Sequence, residues 1–215
     1  PHRMIVAFRV DSSTEIGSGH VMRCLALAEA LRDRAAEVTF VCRDHDGHLI
    51  DVIRARGFAV EVLAAPARER DAAWGMLGVP VDQDARETLA VLPQDAGWLV
   101  VDHYGVAASW ETAVRVRVPR ILVMDDLADR RHDCDALVDP TYPGDPARYA
   151  GLVPEHARLL LGPRYAQMGA GYAEAAARTA GRRPEPPRLF VFYGGTDAHD
   201  LTGRTLCAAS RPGLR

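Results

Sequence analysis

Apolar, partly β-branched runs recur along the chain at roughly 4–11, 37–43, 58–63, 97–104 and 119–126, separated by stretches whose apolar residues repeat with helical spacing. The clearest helix follows the first run: Val21, Cys24, Leu25, Ala28 and Leu31 form one stripe, Arg23, Glu29 and Arg32 lie largely off it, and Gly17-Ser18-Gly19 signals its start. A second candidate carries Leu49, Ile50 and Ile53 and stops at Gly57. Shorter apolar segments follow at 136–139 and 159–162, then an Ala-rich stretch, 170–180, expected to be a helix. Near-continuous apolar strands alternating with helices predict an α/β, Rossmann-like doubly wound parallel sheet, because only strands covered on both faces read this way.

Gly181-Arg182-Arg183-Pro184-Glu185-Pro186-Pro187 has no apolar side chain to anchor a core and reads as a linker. The expected organisation is therefore a first domain over 4–180, a linker over 181–187, and the start of a second domain over 188–215. That last part opens with a predicted strand, 188–193, and a helix after Asp200. Its 28 residues are too few to bury a core unaided.

Composition narrows the class. With 48% hydrophobic and 26% charged residues, the chain is neither disordered nor fibrous. No apolar run approaches the roughly 18 to 20 residues of a spanning helix, and the start lacks the apolar stretch of a signal peptide, so the expectation is a cytoplasmic protein without a membrane partner. All 26 basic residues are Arg, scattered in a chain of net charge −3, which argues against a nucleic-acid surface. Cys24, Cys42, Cys134 and Cys207 show no CxxC spacing, so neither a zinc ribbon nor a disulfide framework is expected.

In an open parallel sheet, ligands bind at the carboxyl ends of the strands. Asp11, Asp102, Tyr104, Asp125, Asp126, Asp139 and Asp197 fall at such ends. Any one of these aspartates is equally well read as a helix cap; the set is the informative feature. The segment from Asp11 through Ser12, Ser13, Gly17, Ser18 and Gly19 to His20 joins strand to helix through glycines that permit close backbone approach. A helix N-terminus there suits a phosphate. The glycine spacing is not that of the dinucleotide fingerprint, which disfavours an NAD-dependent enzyme. His20, at the helix start, fits either a structural role or a general base: the helix dipole favours its neutral form and a bound diphosphate its charged one. His45 and His48 lack a third ligand at recognisable spacing, and Arg130, Arg131, His132 and Asp133 form a charge run; both segments are expected to be solvated loops. There is no GxSxG elbow and no Walker A loop, which leaves water as one candidate nucleophile.

Phe8-Arg9-Val10-Asp11-Ser12-Ser13, Ile16-Gly17-Ser18-Gly19-His20 and Arg23-Cys24-Leu25-Ala26 resemble the N-terminal signature of the UDP-sugar hydrolases of pseudaminic acid biosynthesis and their spore-coat polysaccharide relatives. The motifs continue in order as Val101-Asp102-His103-Tyr104, Asp125-Asp126-Leu127-Ala128, His132-Asp133-Cys134-Asp135, Leu161-Gly162-Pro163-Arg164-Tyr165 and Tyr193-Gly194-Gly195-Thr196-Asp197. The resemblance implies the N-terminal domain of a GT-B architecture and an inverting reaction in which water displaces UDP from a UDP-2,4-diacetamido-2,4,6-trideoxy sugar, with no metal or other cofactor. It implies His20 and Tyr104 as catalytic residues. Backbone groups of Gly17, Ser18 and Gly19 are expected to hold the diphosphate, with further substrate contacts from Arg9, Asp11, Ser12, Ser13, Asp102, Asp125, Asp126, Gly194, Gly195, Thr196 and Asp197. Family members continue well beyond the GGTD segment, so the second domain is expected to be truncated here and hydrolysis by this chain alone to be poor. Two other readings use the same cleft: a GT-B glycosyltransferase, with an acceptor hydroxyl in place of water, and a non-catalytic remnant that binds a sugar phosphate or a partner protein.

Overall fold

Each of the seven apolar segments ahead of residue 165 forms a strand in the computed structural model, which describes residues 3–66, 72–181, 188–194, 197 and 199–210. In chain order the elements are β1 (Ile5–Val10), α1 (Gly19–Arg32), β2 (Glu37–Arg43), α2 (Ile50–Ala55), β3 (Ala59–Leu63), α3 (Val81–Val91), β4 (Trp98–Asp102), α4 (Ala108–Val114), β5 (Ile121–Met124), β6 (Ala136–Asp139), β7 (Arg158–Leu161), α5 (Ala170–Thr179) and α6 (Leu201–Ala209). The strands make one sheet in the order β3-β2-β1-β4-β5-β6-β7, with every pairing parallel. The expected α/β doubly wound class is therefore correct. The chain reverses direction across the sheet between β1 and β4, and the register Val10↔Asp102 brings the carboxyl ends of these two strands level. This is the topological switch point at which ligands bind in such sheets.

Period-two alternation divides the core into two layers. Val6, Phe8 and Val10 of β1 pack with Val21, Cys24, Leu25 and Ala28 of α1 and Ile50 and Ile53 of α2. Ala7, on the opposite side, joins Ala85 of α3 and Trp110 and Val114 of α4. Both faces of β1 are thus covered, which is why its sequence shows no polar alternation.

Arg9, in the middle of this apolar strand, has no exposed surface. Its guanidinium donates to Asp11 at 2.6 Å and to both carboxylate oxygens of Asp84 on α3. Arg43, at the end of β2, donates to Asp84 at 2.7 Å through its side chain and to Asp11 at 2.7 Å through its backbone N–H. Burial alone would lift the Asp11 and Asp84 carboxyls, but Arg9 outweighs it and holds both below the usual range. The network ties α3 to the ends of β1 and β2.

The chain divides into two compact units, residues 1–169 and 170–215. The sheet lies in the first. In the second, α5 follows the Ala-rich pattern, and Asp200 caps α6 by accepting from the backbone N–H of Gly203. Residues 188–193 do not form the strand expected of them: Phe190 and Phe192 are 87% and 68% exposed. The segment has the side chains of a strand but no neighbour to complete its ladder. Most of the expected linker (182–187) and Gly195 and Thr196 lie outside the described residues. Among the described residues, no helix is long and apolar enough to cross a membrane.

Candidate functional site

The loop between β1 and α1 folds back on itself. The Ser13 hydroxyl accepts from the N–H groups of Glu15 and Ile16, and the Gly17 N–H donates to the Ser13 carbonyl. Gly17 has φ +82°, a conformation that L side chains rarely adopt. Ser12 holds the loop to the start of α2 by accepting from the Leu49 N–H at 2.8 Å. Asp11, below, is part of the buried network. The turn delivers Ser18 and Gly19 to the first turn of α1, which has no side-chain cap and no acidic residue. The leading amides of α1 therefore carry the positive end of the helix dipole without a carboxylate to satisfy them. A Cβ added at Gly17 or Gly19 would meet nothing within 4 Å, so the space above this turn is open.

His20 belongs to the same turn and is 8% exposed. Its Nδ1 lies 2.6 Å from Oδ1 of Asp102, which closes β4 and has no exposed surface. Burial would lift the Asp102 carboxyl, but hydrogen bonds from Arg23 and His20 outweigh it and keep the group ionised. Nδ1 must therefore carry the proton that it donates, which leaves the lone pair on Nε2. Arg23, one turn further along α1, grips Asp102 with two prongs, Nε to Oδ2 at 2.5 Å and Nη2 to Oδ1 at 2.6 Å, and reaches Oδ2 of Asp126 through Nη1 at 3.2 Å. Tyr104 stands edge-on to the His20 ring, with centroids 4.7 Å apart, and donates its hydroxyl to Oδ1 of Asp126 at 2.7 Å. Burial, helped by Asp126, pushes the Tyr104 hydroxyl up to about 12, so it stays protonated at neutral pH.

Three elements thus converge on one spot: the start of α1 with His20 and Arg23, the end of β4 with Asp102 and Tyr104, and Asp126 after β5. The arrangement has the form of a His–Asp dyad whose histidine sits in the uncapped first turn of α1.

Other expected site residues lie elsewhere. Arg9 and Asp11 have no accessible side-chain surface and act as support beneath the loop. Asp125 turns inward, with its Oδ2 accepting from the Ala128 N–H and the Tyr149 hydroxyl and its Oδ1 2.9 Å from Arg130. Asp139 binds Thr141, Arg148 and Tyr149. In the second unit, Gly194 has φ +84° and Asp197 accepts from the N–H groups of Leu201 and Thr202, capping α6.

Two segments expected to be solvated loops contain buried histidines. His45 is 2% exposed, with Nε2 3.4 Å from Asp11, whereas His48 pairs with Asp44. His103 approaches Asp11 from the other side, at 3.3 Å, and its Nδ1 accepts from the Gly105 N–H, so its Nε2 is a donor rather than a metal ligand. His132 is 4% exposed and donates from Nδ1 to Glu111 at 2.7 Å. Burial would lower its proton affinity, but Asp125 and Glu111 reverse this and raise it to about 9. In both loops the balancing carboxylates come from distant segments, which a local charge pattern does not reveal. Among the described residues, no group of three or more His, Cys, Asp or Glu side chains could hold a metal ion.

Sequence reasoning gave Arg23 no role in the site, although it opens one of the motifs that carry the resemblance; by periodicity it lay on the polar side of an amphipathic helix. The available signal was its spacing: three residues after His20, it faces the same direction one turn on.

No model of a known protein family matches the chain. The chain is 28% identical over 201 residues to the UDP-2,4-diacetamido-2,4,6-trideoxy-beta-L-altropyranose hydrolase of Campylobacter jejuni. The match covers 93% of this chain and 63% of that hydrolase, so the chain spans less than two thirds of its relative's length. Modest in identity but running through nearly the whole chain, this similarity supports membership of the chain in the family of that UDP-sugar hydrolase, the family that its motifs resemble.

Proposed function

We propose that the chain carries the catalytic part of a hydrolase that releases UDP from a UDP-2,4-diacetamido-2,4,6-trideoxy sugar. The observation that carries this reading is the His20–Asp102 pair placed in the same helical turn as the open, uncapped amides of α1. The diphosphate lies against those amides, around Gly17, Ser18 and Gly19, where a side-chain cap is lacking. Water is held between Nε2 of His20 and the Tyr104 oxygen, whose own proton is committed to Asp126.

In the reaction, the water oxygen bonds to the anomeric carbon as the bond from that carbon to the β-phosphate oxygen breaks, with inversion. The bonding electrons leave with UDP, and the water proton passes to Nε2. The resulting imidazolium is stabilised by Asp102 through Nδ1–H. The amides and helix dipole compensate the charge that grows on the diphosphate, so the step needs no metal ion.

The test is UDP release from the UDP-2,4-diacetamido-2,4,6-trideoxy-altropyranose substrate with EDTA present, by the wild-type chain joined to the remainder of its Campylobacter jejuni relative and by the same protein carrying His20→Ala. The expected result is EDTA-resistant release that falls by about 10²- to 10⁴-fold in the variant, the usual contribution of a positioned general base. Release that required an added sugar acceptor would point to a transferase, and release unchanged in the variant would remove His20 from the mechanism.

A further inference from the structure

Among the described residues, Arg23 is the one side chain that touches both carboxylates of the site. It engages both oxygens of Asp102 and, through Nη1, Oδ2 of Asp126. Those same carboxylates hold His20 and Tyr104 through their other contacts: Asp102 accepts from Nδ1 of His20, and Asp126 accepts from the Tyr104 hydroxyl. We propose that Arg23 is a positioning residue that locks the His20–Asp102 and Tyr104–Asp126 pairs into a single unit, fixing which nitrogen of His20 is free and keeping that ring ready to accept a proton. This inference rests on the hydrolase reading for its catalytic meaning, but its structural content stands apart from it.

The planar fork is suited to the task. A guanidinium donates in several fixed directions at once, whereas an ammonium is a point charge on a flexible stem. The fork leaves each carboxylate little freedom to turn, and so gives His20 and Tyr104 stationary acceptors.

Charge adds a second effect. Around His20 stand Asp102 from β4, Tyr104 from the loop after it, and Arg23 and Cys24 from its own helix, with Asp126 beyond Arg23. Nη2 of Arg23 lies 3.4 Å from Nδ1 of His20. A cation at this distance opposes a second proton on the ring and offsets the pull of Asp102. Without Arg23, Asp102 and Asp126 would lose the cation that bridges them, while Arg130 over the Tyr104 ring and Arg148 on the Asp126 carbonyl would remain.

The decisive experiment follows the His20 ring nitrogens by NMR as a function of pH in wild type, Arg23→Met and Arg23→Lys, alongside UDP release by the same three proteins. In Arg23→Met the midpoint of His20 proton uptake is expected to move up by about one pH unit or more, a tenfold gain in proton affinity, the scale set by removing one close charge. Arg23→Lys keeps the charge and is expected to move it by less than half as much. In turnover, Arg23→Met is expected to lose kcat while KM for the UDP-sugar stays within about twofold. Should Arg23→Met not fold, Arg23→Gln removes the charge while keeping bulk and hydrogen bonding, and carries the same expectation. An unchanged midpoint and tautomer in a folded, neutral variant would overturn the proposal. So would a rise in KM with kcat unchanged, which would make Arg23 a substrate contact. Absence of hydrolysis by the wild type joined to the remainder of its Campylobacter jejuni relative would overturn the hydrolase reading alone, since the nitrogen titration needs no substrate.

Discussion

Asp102 has no exposed surface, yet it decides which nitrogen of His20 faces the cleft. Asp102→Asn keeps the size of the side chain and removes the charge that stabilises an imidazolium. UDP release is expected to fall by about 10²- to 10⁴-fold with the thermal midpoint little changed, as measured by steady-state kinetics and melting curves on the same preparation. Asp102, Tyr104 and Asp126 were legible in the sequence as strand-end positions, which converge in a parallel sheet whatever the rest of the chain does, and His20 as the start of the helix after the first strand; the roles of His20 and Tyr104 came from the resemblance. Those of the carboxylates were less legible. Asp102, expected to contact substrate, has both oxygens occupied by His20 and Arg23. Arg23 itself was given no role because a cation beside an apolar helical stripe is usually solvated, and only the three-dimensional approach of β4 and the segment after β5 reveals its partners.

At the scale of elements, the first turn of α1 does what its glycines imply. A branched side chain at Gly19 would project into the open space where the diphosphate is proposed to lie. Gly19→Val is therefore expected to weaken UDP binding by tenfold or more while leaving the melting temperature within a few degrees of wild type, a split that calorimetric titration and thermal melts will show. The strands of the sheet were legible for a related reason: burial on both faces makes the central ones nearly unbroken apolar runs, and the half-exposed edge strands β3 and β7 are still mostly apolar. Residues 188–193 carry the same signature and form no strand, because strand propensity is local and ladder partners are not. The loops holding His45 and His132 show the converse. Their polar letters suggest solvation, but Asp11 and Glu111, far away in sequence, reach them and make burial affordable.

For the molecule as a whole, stability depends on charges that no surface reveals. Asp84→Ala would leave Arg9 and Arg43 buried without their shared carboxylate, an expected loss of about 3–5 kcal/mol measurable by urea unfolding. The pH dependence has two opposite limbs. Asp11 and Asp84 are held below their unfolded values, so the stability they contribute is present above about pH 4 and is lost as pH falls through their folded values. His132 is raised to about 9, so its contribution is complete below about pH 6.5 and is lost as pH rises toward 9. His132→Gln is accordingly expected to be less stable than wild type at pH 6 and to show a flatter decline between pH 6.5 and 9 in urea titrations. The four thiols give the molecule one more property. Cys24, Cys42 and Cys134 are buried and Cys207 on α6 is exposed. A maleimide fluorophore should thus attach once to the native protein, at Cys207, and four times in urea. The second unit comes with its own labelling handle, without engineering a single position.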